Sequence, residues 1–121
     1  MQRIASAAVM AAAITALGFG VADAHPRLLS ANPGPNAQVA APAEIRLGFS
    51  ETLIGKFSRI ALMDAHGHLI KTGATNLAPN HKLLVAPVGA KLSPGTYKVA
   101  WKVVSTDTHR VQGAYAFTVR K

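Results

Sequence analysis

Five histidines and five carboxylates make up the side chains of this chain most able to do chemistry near neutral pH, and their placement singles out three. His25 directly follows Ala22-Asp23-Ala24, a small-residue pattern of the kind that precedes a leader-peptidase cut. Cleavage after Ala24 makes this histidine the first residue of the mature chain. A terminal histidine carries a free α-amine and an imidazole Nδ1, which together close a six-membered chelate ring on a borderline metal such as Cu(II). Pro26 has no backbone N–H, so wrapping the metal in successive amide nitrogens is blocked and the other ligands must come from elsewhere. Asp107 and His109 are the candidates, in Ser105-Thr106-Asp107-Thr108-His109. In extended backbone residues i and i+2 share a side, which would let this carboxylate and imidazole converge on one ion; the same spacing also fits an ordinary surface pair.

The compartment agrees with a cleaved leader. Arg3 opens a short basic start, Ile4 to Phe19 is apolar, and Ser6, Thr15 and Gly18 interrupt that run before it reaches membrane-spanning length. Residues 1–24 are therefore expected to be a signal peptide and residues 25–121 one small domain. No later stretch is apolar enough to predict membrane insertion. Losing Arg3 and Asp23 together leaves the formal charge of +8 unchanged. The cations are spread from Arg27 to Lys121 without a block, which argues against a nucleic-acid partner. Cysteine is absent, so thiolate zinc sites, disulfides and a blue-copper centre are excluded. No Gly-x-Ser-x-Gly elbow or glycine-rich phosphate loop occurs, which removes the hydrolase and nucleotide classes.

The elements that must position these residues read as short strands. Ile45, Leu47 and Phe49 alternate with polar or small residues over 44–50, and Tyr97, Val99, Trp101 and Val103 do the same over 95–105. Weaker alternation covers 57–64, 68–71, 81–87 and 113–120, and no segment sustains a helical period. Asn32-Pro33-Gly34-Pro35-Asn36, His66-Gly67 and Ser93-Pro94-Gly95-Thr96 are turn signals. About seven strands at this spacing predict an all-β, Greek-key sandwich or small barrel of immunoglobulin-like type. Trp101, Tyr97, Tyr115, Phe117, Phe49 and Phe57 are assigned to its core.

With His25-Pro26 after the leader, Leu47-Gly48-Phe49-Ser50-Glu51, and Pro94-Gly95-Thr96-Tyr97-Lys98-Val99-Ala100-Trp101 running through Ser105, Asp107, His109 and Gly113 to Phe117, the chain resembles the CopC family of periplasmic copper-binding proteins. The resemblance covers essentially the whole mature chain. It implies a seven-stranded Greek-key sandwich holding one Cu(II) ion per chain, with His25, Asp107 and His109 as ligands. It also brings in Glu51, at the metal, as an acceptor fixing His25, or as a solvated strand-end carboxylate. A periplasmic location, a role in copper homeostasis or resistance, and a CopD-like inner-membrane copper-import partner follow from the same likeness. The protein is expected to be a monomer and not an enzyme.

Some members of that family carry a second, Cu(I) site in a methionine-rich loop. Here only Met63 follows the leader, in Ala61-Leu62-Met63-Asp64-Ala65-His66-Gly67-His68, so a Cu(II)-only protein is predicted. His66 and His68 read as a polar hairpin tip or a weak surface metal site, and His81 as a surface residue. Two rival functions use the same residues. One is a copper monooxygenase of the N-terminal-histidine type, against which the small size and short loops argue. The other is an immunoglobulin-like interaction module without metal, in which Asp107 and His109 only shape a loop.

Overall fold

A computed structural model describes residues 25–121, and the leader assigned to residues 1–24 lies outside them. Two sheets face each other. The first holds β1 (Leu28–Asn32), β3 (Glu44–Phe49), β7 (Leu83–Pro87) and β6 (Asn76–Leu77), in the order β1-β3-β7-β6. The second holds β2 (Gln38–Val39), β9 (Arg110–Val119), β8 (Gly95–Val104), β4 (Arg59–Asp64) and β5 (Leu69–Ile70), in the order β2-β9-β8-β4-β5. Consecutive β3 and β4, and again β7 and β8, lie in different sheets, the crossing connections of a Greek-key sandwich. The all-β sandwich read from the sequence is the fold observed. A 3-10 turn at Gly55–Phe57 is the single helical element among the described residues.

The alternation that predicted the strands also builds the core. Ile45, Leu47 and Phe49 of β3 with Leu84 and Ala86 of β7, from the first sheet, meet Ile60 and Leu62 of β4, Tyr97, Val99 and Val103 of β8, and Phe117 and Val119 of β9, from the second, in one buried cluster. In register, Leu47 pairs with Leu84, Leu62 with Val99, and Tyr97 with Phe117, so like-sized side chains meet across each ladder. Trp101 is half-buried and lies against Gly113, its partner across β8 and β9, where any Cβ would run into the indole. That is why glycine interrupts β9.

Several sequence expectations are corrected. Nine strands replace about seven, because β1, β2 and β6 were not legible and β2, β5 and β6 are two residues long. β9 starts at Arg110, three residues before the alternation suggested, since Val111 and Gln112 continue the ladder opposite Val103 and Lys102. β7 starts at Leu83 because His81 takes a left-handed φ of 61° in the preceding turn. Phe57, assigned to the core, is 52% exposed on the 3-10 turn, with Lys56 Nζ 5.2 Å above its ring. The Pro94-Gly95 signal marks a bend leading straight into β8.

Candidate metal centre

His25 reaches the body of the protein through Pro26, which is fully buried. Immediately beyond it, Arg27 N donates to Ser50 Oγ at 2.8 Å and Ser50 N donates to Arg27 O at 2.9 Å. Leu28 then pairs with Phe49, so continuing that antiparallel register sets His25 beside the strip 51–52. A bulge between Leu28 and Ser30 leaves Leu29 largely exposed and turns the start of β1. A rigid, buried ring and a two-bond clamp therefore hold the backbone next to an exposed imidazole.

The second side of the site is the β8–β9 loop. The two strands stay in register to Val104 and Arg110, after which Ser105 N donates to His109 O at 2.9 Å and Thr108 N to Ser105 O at 2.8 Å. This is a three-residue hairpin loop with its last residue left-handed: Thr108 has φ 71°. A β-branched residue there costs on the order of 1 kcal/mol or more, a local strain of the kind found at functional loops. The expectation that Asp107 and His109 converge through extended backbone is corrected accordingly. They meet because the turn folds Asp107 back over His109, bringing Oδ1 to 3.2 Å from Nδ1.

Ser105 anchors this loop, a role sequence reasoning missed. It is 1% exposed, its hydroxyl donates to Asp107 Oδ1, and its oxygen accepts the His109 N–H at 3.3 Å. The i, i+2, i+4 spacing of Ser105, Asp107 and His109 is the signal that could have found it. The Ser105 hydroxyl first, and His109 second, hold the Asp107 carboxyl below the ordinary carboxylate range, so it is a ready anionic oxygen donor.

The two sides meet. The imidazole of His25 lies 4.6 Å, centroid to centroid, from that of His109, with planes 57° apart. Nδ1 of His109 is shut off from solvent and makes no hydrogen bond among the described residues, since Asp107 approaches within ion-pair range without hydrogen-bond alignment. A buried ring nitrogen without a hydrogen bond is costly, so a further partner at this point would be stabilising. Two imidazoles and a carboxylate form an N,N,O set suited to a borderline ion.

Glu51 sits between the two sides, half-buried in the bend after β3. Thr106 N donates to Thr52 O at 2.9 Å, Leu53 bridges Ser105, and Ile54 N donates to Val104 O at 2.8 Å, so this strip runs beside the loop as well as beside Arg27. Among the described residues Glu51 makes no hydrogen bond or ion pair, and no three ligand-type side chains are gathered as a finished cage. The structure brings His25, His109 and Asp107 together pairwise through His109 and leaves Glu51 alongside.

A family model described as the CopC domain matches residues 28–120. Copper resistance protein C of Pseudomonas syringae pv. tomato is 37% identical over 106 residues, covering 83% of this chain and 84% of its own. Among solved structures, CopC from Methylosinus trichosporium OB3b superposes with a TM-score of 0.74 at 31% identity, over 79% of this chain and 94% of that one. PcoC, a methionine-rich copper resistance protein from Escherichia coli, superposes with a TM-score of 0.72 at 39% identity, over 80% of this chain and all of that one.

Proposed function

This chain belongs to the CopC family, and from that footing we propose that it is a periplasmic Cu(II)-binding protein which sequesters copper and hands it on in copper resistance. The observation that carries the reading is the His25 ring packed on His109, whose Nδ1 is buried and unsatisfied beside Asp107. Removal of residues 1–24 frees the α-amine of His25. The amine and Nδ1 of His25 then chelate one copper ion, the His109 imidazole and the Asp107 carboxylate complete the set, and Glu51 supplies a further oxygen or accepts a hydrogen bond from His25. Carboxylate and nitrogen donors favour the oxidised ion. Met63 alone after the leader cannot make a thioether cage for Cu(I), which supports a Cu(II)-only protein.

Binding must displace a proton from the amine and leave both imidazoles neutral, so copper uptake releases protons and weakens in acid. The chain works as a monomer with one copper ion at this site, and delivers it to a CopD-like copper importer of the inner membrane. The protein is a binding protein, with copper as its cargo. Mass spectrometry of the exported protein together with its copper spin-resonance spectrum tests the reading. The expected result is a chain starting at His25 with a tetragonal, nitrogen-coupled Cu(II) signal, lost when one residue is added ahead of His25. A chain starting elsewhere that still binds copper tightly would overturn it.

A further inference from the structure

At the other end of the sandwich a second pair of imidazoles is held in place. Asp64 closes β4, pairing with Tyr97, whereas the Asp107 loop follows Val104, so the length of β8 separates them by roughly 25 Å. The tip between β4 and β5 is tied down. Asp64 Oδ1 accepts the backbone N–H groups of His66 and His68, each at 2.9 Å, Asp64 N donates to His68 O at 2.9 Å, and Gly67 takes the turn with φ 82°. Both histidine side chains project from this fixed backbone and are exposed.

Their chemistry is set by the same carboxylate. His68 Nδ1 lies 3.3 Å from Asp64 Oδ2. An ionised carboxylate only accepts, so Nδ1 carries the proton and the Nε2 lone pair faces away from Asp64. A carboxylate behind an imidazole in this way is the arrangement that orients metal-ligating histidines. The rings of His66 and His68 have centroids 6.2 Å apart, with planes 43° apart. A ligating imidazole centroid stands about 3.2 Å from its metal, so two rings on one tetrahedral ion have centroids about 5.2 Å apart, roughly 1 Å closer than at this tip. A small side-chain rotation brings them closer.

We propose that His66 and His68 form a second metal site, taking a borderline divalent ion such as Zn(II) or Cu(II) through two imidazole nitrogens, with Asp64 as its positioning residue. Two protein ligands leave the rest of the coordination sphere to water, which makes this an exchangeable site, weaker than a chelating terminus. It stands on the geometry of the tip alone and does not rest on the site at His25.

Zn(II) titration of the exported protein, followed by histidine side-chain NMR, tests it, because each ring is read separately. His66 and His68 should respond together, saturating with one ion, and His66→Ala or His68→Ala should weaken that phase at least about tenfold. Asp64→Asn keeps a carbonyl oxygen for the two backbone N–H groups but loses the acceptor that fixes the tautomer. Its amide nitrogen then donates to His68 Nδ1, so binding should weaken severalfold and His68 should shift toward the Nε2–H tautomer. Shifts confined to His25 and His109, or unchanged binding in the two alanine variants, would overturn the site. An unchanged tautomer and affinity in Asp64→Asn would overturn the role of Asp64.

Discussion

Ser105→Ala is the sharpest perturbation of the candidate site, because it deletes one buried oxygen and leaves His25, Asp107 and His109 in the sequence. The hydroxyl donates to Asp107, whose side chain is 52% exposed, so water replaces much of that contact. The His109 N–H also loses its acceptor at 3.3 Å, and the vacated volume is a single oxygen. For a side chain only 1% exposed that holds a turn closed, the expected destabilisation is about 1 kcal/mol.

For a domain of this size 1 kcal/mol lowers Tm by about 4–8 °C, which is readily measured on the metal-free protein. Copper affinity should fall about five- to tenfold, because Asp107 is no longer aimed while the amine and imidazoles are untouched. A double-mutant cycle with Asp107→Ala separates the two roles: the coupling should account for most of the Ser105→Ala loss. The reasoning is refuted if Ser105→Ala leaves both Tm and copper affinity unchanged, or if the two substitutions add without coupling.

Two further outcomes follow from the geometry. Gly113→Ala places a methyl against the Trp101 indole, so the ring must move at an overpacking cost of about 1–3 kcal/mol, seen as a lower Tm and altered tryptophan fluorescence; an unchanged spectrum would contradict the packing. Asp107 has a folded pKa below its ordinary 3.8, so its contribution to stability is present above that value and is lost only as pH falls through the lower folded value. In the metal-free protein Asp107→Asn should then change acid unfolding below about pH 4 but not the stability slope between pH 5 and 7, and pH-dependent unfolding checks it.

What the sequence made legible was whatever alternation or residue type alone can encode. β3 and β8 stood out because Ile45, Leu47 and Phe49 of the first and Tyr97, Val99 and Val103 of the second are buried at alternate positions, and the same period placed Tyr97, Phe117 and Phe49 in the core. β1 did not, since it is an edge strand whose side chains are all at least partly exposed and whose bulge breaks the period at Leu29. Phe57 was misplaced for a related reason: it lies on a connection between sheets, where an aromatic need not face inward. For the site, ligand types at His25, Asp107 and His109 were visible, but the turn that joins the last two was not. Its closing bonds are backbone to backbone, and its left-handed residue is a threonine, where turn chemistry predicts glycine or asparagine. Ser105 was hidden because a serine announces nothing until its burial is known.

The strip 50–54 explains why such a site can exist on two sheets at once. It leaves β3 of one sheet and heads for β4 of the other, and on the way Ser50 is bonded to Arg27 while Thr52 and Ile54 are bonded to Thr106 and Val104. The start of the chain and the β8–β9 loop are thus both registered against the same five residues, so the gap between His25 and His109 is fixed by backbone hydrogen bonds more than by the side chains themselves. On the proposed function, a metal bridging that gap would bind the folded protein only and stabilise it by RT ln(1 + [L]/Kd), about 2.7 kcal/mol at a hundredfold excess over Kd. The same linkage runs in reverse: anything that loosens the strip separates the ligands before it unfolds the core, because Ile45, Leu47, Leu62 and Val99 are packed elsewhere. On the proposed function, copper affinity is therefore a more sensitive gauge of this corner than global stability, and a substitution at Ser50, whose hydroxyl oxygen accepts the Arg27 N–H, acts on the site as much as one at Ser105 does.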